Sequence, residues 1–300
     1  MADVFVMGSI NQDLVLKVER RARPGETVTD AVLSTHNGGK GANQAAAAAL
    51  LGASVVFLGR VGDDGFGDPL VRALGDKGVD TSLVEESEGT STGTAFITVT
   101  ADGENAITVA PGANRSLTPQ DVEDARGAIG GSRVLVAQME IPRETVRRAV
   151  EVAGEEGTRM LINLAPPFEV PRAVLEGVDP LVVNEHEAAF LLGEKVEGWT
   201  ARWTPPEAAL ARPEVSRRHG RADGAVLAEK GATRHVPAPR AEVVDTTGAG
   251  DAFVGALAFR LAREDTLEQA VAYAVRAGAA AVTKEGAQGA LPTPDILEAL

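Results

Sequence analysis

Short continuous apolar runs alternate with helix-patterned segments along most of this 300-residue chain, and that alternation restricts the fold more than any other feature. Val4-Phe-Val-Met-Gly8 opens the series. Ser54–Arg60, Arg133–Met139, Arg159–Asn163 and Pro180–Asn184 read as further strands, while Gly65–Lys77, Arg143–Glu155 and Glu185–Leu192 read as helices. A strand that is apolar on both faces must be covered on both sides. The pattern therefore predicts an α/β fold, with a mainly parallel central sheet flanked by helices on both faces. Two stretches break the rhythm. Asp13–Ser34 and Gly93–Ala110 alternate apolar and polar residues (Leu14/Leu16/Val18; Ala95/Ile97/Val99; Ile107/Val109), as half-exposed strands do. They predict a small antiparallel β-sheet lid, within residues 12–35 and 92–111, projecting from a unit that spans residues 1–300. Such a lid can close over a substrate or pair with its copy.

Composition removes several function classes. A formal net charge of −14 argues against nucleic acid and against anionic membranes. The absence of cysteine excludes disulfides, thiolate catalysis and zinc–thiolate sites. The histidines at 36, 186, 219 and 235 are not spaced as a metal pair. No leader is expected before the first strand, and Ala45–Leu58 is broken by Gly52 and Ser54, so a soluble cytoplasmic protein is expected.

Chemistry concentrates in three glycine-containing motifs. Asp245-Thr-Thr-Gly-Ala-Gly-Asp251-Ala-Phe253 follows a short apolar run, Val243-Val244, and opens an alanine-rich helical pattern running to about Leu261. Gly248, Ala249 and Gly250 let backbone N–H groups face an open space at the helix N-terminus, a place suited to a phosphoryl group. Asp251 sets a carboxylate beside it as a candidate base. Taken alone, such a turn is also an ordinary connection, and its aspartate a simple complement to the helix dipole. A dinucleotide fingerprint fails because Phe253 stands where its third glycine belongs, and a P-loop fails for want of Lys-Ser/Thr. Gly8-Ser-Ile-Asn11-Gln-Asp13 ends the first strand, where α/β sheets bind ligands, and Asn11 and Asp13 share a direction suited to vicinal hydroxyls. Asn37-Gly-Gly39-Lys40-Gly-Ala-Asn43-Gln44 opens a helix whose glycines allow close approach of a ligand to the backbone.

With Pro111-Gly-Ala-Asn114, Gln138-Met-Glu140, Asn184-Glu-His-Glu187 and Thr283-Lys-Glu-Gly-Ala-Gln288, these motifs occur in the order of the ribokinase-like (PfkB-type) carbohydrate kinases. The chain resembles that family over nearly its whole length. Gly-Gly-Lys-Gly-Ala-Asn-Gln together with Gln-Met-Glu resembles the ribokinase branch more than the fructokinase or adenosine kinase branches. The resemblance implies ATP-dependent phosphorylation of a sugar's primary hydroxyl, D-ribose giving the 5-phosphate. It implies Asp251 as base and Gly248, Ala249, Gly250 and the Asp251 N–H as anion hole. Asn11, Asp13, Gly39, Lys40, Asn43 and Glu140 would hold the sugar. Asn184 would meet nucleotide phosphates, Glu187 would organise Mg2+ through water, and Val275 would lie near the adenine, where the family commonly has Asn or His. Asp245 and Thr247, with carbonyls near Ala281 and Gly286 and with Ala290 in place of a common serine, would form a K+ site. A homodimer through the lids is also implied.

The stretch from Trp199 to Arg221 departs from the family pattern. It holds both tryptophans, five arginines, three prolines and no lysine where the family has a helix and then a buried strand ending in Thr-x-Gly. Pro213–Arg221 is too charged for a buried strand without partners. One codon choice for Arg217–Arg221, shifted by one nucleotide, encodes Val-Val-Thr-Val-Gly, the strand expected there. Compensating frameshifts stand against a surface insertion or an arginine-rich loop, and resequencing the gene separates them. Either way a central strand is expected to be missing or rebuilt, which bears on nucleotide binding.

Overall fold

The computed structural model describes residues 2–193, 208–212, 224–229 and 232–300. Its central sheet runs β13(Ala232–Val236)-β12(Ala225–Glu229)-β11(Ala208–Arg212)-β10(Leu181–Asn184)-β9(Arg159–Asn163)-β8(Ser132–Ala137)-β1(Ala2–Met7)-β4(Val55–Gly62)-β5(Val79–Ser87). All pairings from β11 to β5 are parallel, and β12 and β13 add two antiparallel pairings at one edge. The period-two geometry of a strand explains why the buried runs are apolar throughout. In β1, Val4 and Val6 enter a core cluster with helices α1(Lys40–Leu50), α8(Ala249–Ala262) and α9(Leu267–Ala281), whereas Phe5 and Met7 enter the cluster under α5(Arg143–Glu156). Val134/Val136 against Leu135/Ala137 in β8, and Val182 against Leu181/Val183 in β10, divide the same way.

The second sheet has the order β3(Val32–Gly38)-β2(Asn11–Val18)-β6(Gly93–Thr100)-β7(Asn105–Ala110). Its β2–β3 and β6–β7 pairs are antiparallel, as the alternation suggests, while β2 and β6 run parallel. Register places Asp13, Val15, Lys17, His36, Ile97 and Val99 on one face and Leu14, Leu16, Leu33 and Phe96 on the other. The first set lines a cavity of about 440 Å3 against Asp245, Thr247 and Gly286.

The Val243-Val244 run lies outside the sheets, and the Val244 and Asp245 N–H groups donate to the Val282 carbonyl at 2.8 and 3.2 Å. The segment 199–221 lies outside the described residues except for Ala208–Arg212, which runs as β11 between β10 and β12. The sheet position expected to be missing or rebuilt is thus occupied by residues of the atypical segment. Among the described residues no helix is long and apolar enough to cross a membrane.

Candidate active site

The helices α1 and α8 are rich in alanine, and that lets their backbones meet. A Cβ on Gly255 would fall 2.5 Å from Ala47 Cβ and 2.6 Å from the Gln44 carbonyl oxygen. One turn before Gly255, this close packing brings Asp251 to the first turn of α1. Asp251 is 7% exposed. Its Oδ2 accepts from Asn43 Nδ2 and its Oδ1 from Gln44 Nε2, both at 2.9 Å. Gln44 Nε2 also donates to Asn163 Oδ1 at 3.1 Å, and Gln44 Oε1 accepts from Gln138 Nε2 at 2.8 Å.

Gly248 caps α8 in the left-handed region (φ 77°), with its Cα packed so near Ala287 that an added Cβ would come within 2.9 Å of Ala287 Cα. No side chain caps the helix. The Ala249 N–H reaches the Thr246 carbonyl at 3.3 Å, but the amides of Gly250 and Asp251 have no acceptor within the helix. Two free donors thus stand at the positive end of a 14-residue helix, in the turn that carries Asp251.

Asp13, Lys40 and Glu140 complete the polar group. Asp13 lies against Gly38, where a Cβ would come within 2.2 Å of Asp13 Oδ2. Burial pushes the Asp13 carboxyl up to about 7; the Glu140 and Asp251 carboxylates add to the rise and Lys40 opposes it. Glu140 Oε2 accepts from Ser9 Oγ at 2.6 Å and from the Lys40 N–H at 3.2 Å. Gly39 (φ 89°) turns the chain into α1 against the Ser9–Asn11 backbone. Asn11 is buried, and its Oδ1 accepts from Asn114 Nδ2 at 2.8 Å, which leaves its amide NH2 as the group to offer a ligand. Asn43 Oδ1 is buried beside Asp251 without a hydrogen-bond donor. A hydroxyl-bearing ligand would satisfy it.

The expected phosphate and metal residues lie at other strand and helix ends. Asn184 ends β10 and caps α7(Glu185–Leu192): its Oδ1 accepts from the Glu187 N–H at 2.8 Å, and its own N–H donates to Glu187 Oε2 at 2.7 Å. Glu187 is 4% exposed. No group of three or more His, Asp or Glu able to hold a metal occurs among the described residues. Asp245 ties the loop before α8 to the loop after α9, accepting from the Thr247 N–H and Oγ1 at 3.1 and 2.8 Å and from the Gly286 N–H at 2.9 Å. The Ala281 carbonyl, in the last turn of α9, accepts no hydrogen bond from the described residues. An anionic oxygen, a hydroxyl and an unused carbonyl are the donor chemistry of a hard monovalent cation. Ala290 is buried, and Val275 packs in the α8–α9 core cluster.

A model of the pfkB family carbohydrate kinases matches residues 1–294. This chain belongs to that family. It is 36% identical over 293 residues to the ribokinase of Staphylococcus aureus (strain COL), with 96% of each chain covered. It is also 36% identical over 299 residues to the deoxyribokinase of Salmonella typhimurium, covering 97% of this chain and 96% of that one. Among solved structures, Arabidopsis thaliana ribokinase complexed with ribose and ATP is similar with a TM-score of 0.87 and 28% identity, over 99% of this chain and 98% of that one. As a pfkB-family sugar kinase, the chain is a phosphotransferase that acts on an alcohol.

The kinase fold brings Asp13, Lys40, Asn43, Glu140 and Asp251 into one polar cluster, sets Asn11 against Gly39 at the turn into α1, and places Asp245, Thr247 and Gly286 along the adjoining cavity. It does not join Val275 to them by any polar contact. Ser9, Gln44, Asn114 and Asn163 have no individual role in the motifs, yet Ser9 bonds Glu140, Gln44 bonds Asp251, Asn114 bonds Asn11, and Asn163 reaches Asp251 through Gln44. Ser9, Gln44 and Asn114 sit inside the motifs themselves, which is the signal the sequence carries for them. Asn163 is an amide at the end of an apolar strand, which marks a strand terminus and nothing more.

Proposed function

We propose that this chain transfers the γ-phosphoryl group of ATP to the primary hydroxyl of D-ribose, giving ribose 5-phosphate and ADP. The observation that carries the reading is the buried Asp251 carboxylate at the free N-terminus of α8, held by Asn43 and Gln44 beside Asp13, Lys40 and Glu140. The sugar's vicinal hydroxyls would be held by Asp13 and the Asn11 amide, with Gly39, Lys40, Asn43 and Glu140 around the remaining ring oxygens. The 5-hydroxyl oxygen attacks the γ-phosphorus in line. The new O–P bond forms as the bond to the ADP oxygen breaks, and the hydroxyl proton passes to Asp251. Deprotonation ahead of attack would be steeply uphill, so Asp251 accepts the proton as the bond develops. The Gly248–Asp251 turn offers its amides to the transferring group. Asn184 would contact the nucleotide phosphates, Mg2+ would sit on those phosphates and be reached by Glu187 through water, and Val275 would border the adenine. The β2–β3–β6–β7 sheet is the lid that excludes water from the reaction.

A sugar panel tests the reading: ADP release with D-ribose, 2-deoxyribose, other pentoses and nucleosides. The deoxyribokinase relative, 36% identical like the ribokinase, favours 2-deoxyribose as the second reading. Ribose binding without ADP release would instead support a catalytically silent sugar-binding protein.

The raised Asp13 pKa makes a pH prediction. Asp13 must be ionised to accept sugar hydroxyls, and its carboxyl titrates at about 7 in the ligand-free fold. Ribose affinity is expected to fall about tenfold per pH unit below about pH 7 and to level off above it. Proton release accompanies binding on the acid side, which calorimetry in buffers of different ionisation enthalpy detects. The same raised pKa means that this group's contribution to folding is present at acid pH and is lost as pH rises through about 7. An affinity flat across that range contradicts the assignment of Asp13.

K+ would be held by Asp245, Thr247 and the carbonyls of Ala281, Gly286 and Ala290. It would neutralise Asp245 and steady the loop that leads into α8. Exchanging K+ for a bulky organic cation is expected to lower turnover several-fold; unchanged turnover would remove the site. The chain is also proposed to form a homodimer through its lids, supported by exposed Leu33 and Phe96 on the lid's outer face. Light scattering decides that point.

A further inference from the structure

Gln44, Gln138 and Asn163 are at most 1% exposed and form a chain of amides that ends on Asp251. Its direction is set by two ends that can only accept. The Val182 carbonyl, in the central sheet, accepts from Asn163 Nδ2 at 3.4 Å, which turns Asn163 Oδ1 toward Gln44. That oxygen and the Asp251 carboxylate both need a donor, so Gln44 must present its NH2 group to them. Its carbonyl oxygen is then left for Gln138 Nε2, at 2.8 Å. Gly8 makes the room, since a Cβ there would lie 2.0 Å from Gln138 Oε1.

Buried amides are costly unless paired, and the pairing along this chain, which leaves Gln138 Oε1 without a hydrogen-bond partner, favours one orientation of Gln44. We propose that Gln44, oriented by Gln138 and Asn163, is a positioning residue for the base. It pins Oδ1 of Asp251 to the central sheet and so fixes the direction from which the carboxylate meets the substrate hydroxyl. Asn43 does the same for Oδ2 from within the ligand cluster. The proposal rests on the kinase reading above. It adds that proton acceptance depends on amides deeper than any group expected to touch the sugar.

The test compares the unmutated protein with Asp251→Asn, Gln44→Met, Gln138→Met and Gln44→Glu, reading ribose-dependent ADP release against pH. Gln44→Met is expected to lower kcat about 100-fold, the cost of a small misplacement of a reacting group, with the ribose KM within about threefold. Gln138→Met, one bond further away, is expected to lower kcat about tenfold, because Gln44 can then turn its oxygen toward the carboxylate. In Gln44→Glu two carboxylates share one proton. The acid limb of kcat should move up by more than about one pH unit, with activity recovering in alkali. A purely structural role would not move that limb. Should Gln44→Met fail to fold, Gln138→Met and the Gln44→Glu profile still decide. Glutamine variants with kcat within about twofold of the unmutated protein, beside an inactive Asp251→Asn, would overturn the positioning role and leave the kinase reading intact. An unmutated protein that binds ribose but releases no ADP would overturn both.

Discussion

Asp251→Asn is expected to lower ribose-dependent ADP release by about 10³, within the 10²–10⁴ usual for a positioned acid–base group. Asparagine keeps the size of the side chain and removes the proton acceptor. It also places an NH2 group against a donor, because Asn43 Nδ2 and Gln44 Nε2 both face the carboxylate. One of those three groups loses its partner, so a stability loss of about 1–3 kcal/mol should accompany the kinetic defect. The residual rate would come from the Gly250 and Asp251 amides and from substrate positioning, which the substitution leaves in place. Ribose affinity should change by no more than several-fold, since Asn11, Asp13, Lys40 and Glu140 are untouched. A variant within about tenfold of the original kcat would mean that the proton goes elsewhere.

Gly41→Ala is expected to be the most damaging single-methyl addition near the site. Its Cβ would come within 2.6 Å of both the Gly8 carbonyl carbon and the Ser9 amide nitrogen. These are backbone atoms, so no side chain can move aside. The start of α1 would have to lift off the turn after β1, where the Ala42 N–H meets the Ser9 carbonyl at 2.9 Å and the Lys40 N–H meets Glu140. Alanine is intrinsically the better helix residue by about 1 kcal/mol, so a gain would be expected if the helix stood alone. Overpacking should reverse the sign, costing about 3 kcal/mol and roughly 5–10 °C in Tm, with ribose binding weakened alongside. Gly154→Ala is the control. It lies within α5 with open space around it, and it should raise stability by about 0.5–1 kcal/mol. Thermal melts of the two variants check the pair. Equal effects would show that α1 is not pressed against the β1 turn.

The parts of the fold that were legible in the sequence are those that water cannot reach. Val4 to Met7 and Val134 to Ala137 are apolar without interruption because each strand is covered by helices on both faces. Val79–Ser87 carries Asp80, Thr81, Glu85 and Glu86 because β5 is an edge strand with a half-exposed pattern, and no local signal separates it from a loop. The parallel β2–β6 contact joins segments about 80 residues apart and leaves no mark in either. In the site, the glycine motifs were legible because close backbone approach demands them. The partners of Asp251 were not, because Gln44 meets it across 207 positions and only the packing of α1 on α8 brings them together. That Ala208–Arg212 would occupy the sheet position left no mark in the sequence pattern, which pointed only to a strand missing or rebuilt there.

The most direct test of the kinase assignment is the product formed from D-ribose and ATP, read by phosphorus NMR alongside ADP release. The account predicts a phosphate monoester coupled to the C5 methylene protons, appearing in step with ADP and absent with Asp251→Asn. A folded protein that binds ribose, yet forms ADP no faster with the sugar than without it, would contradict it.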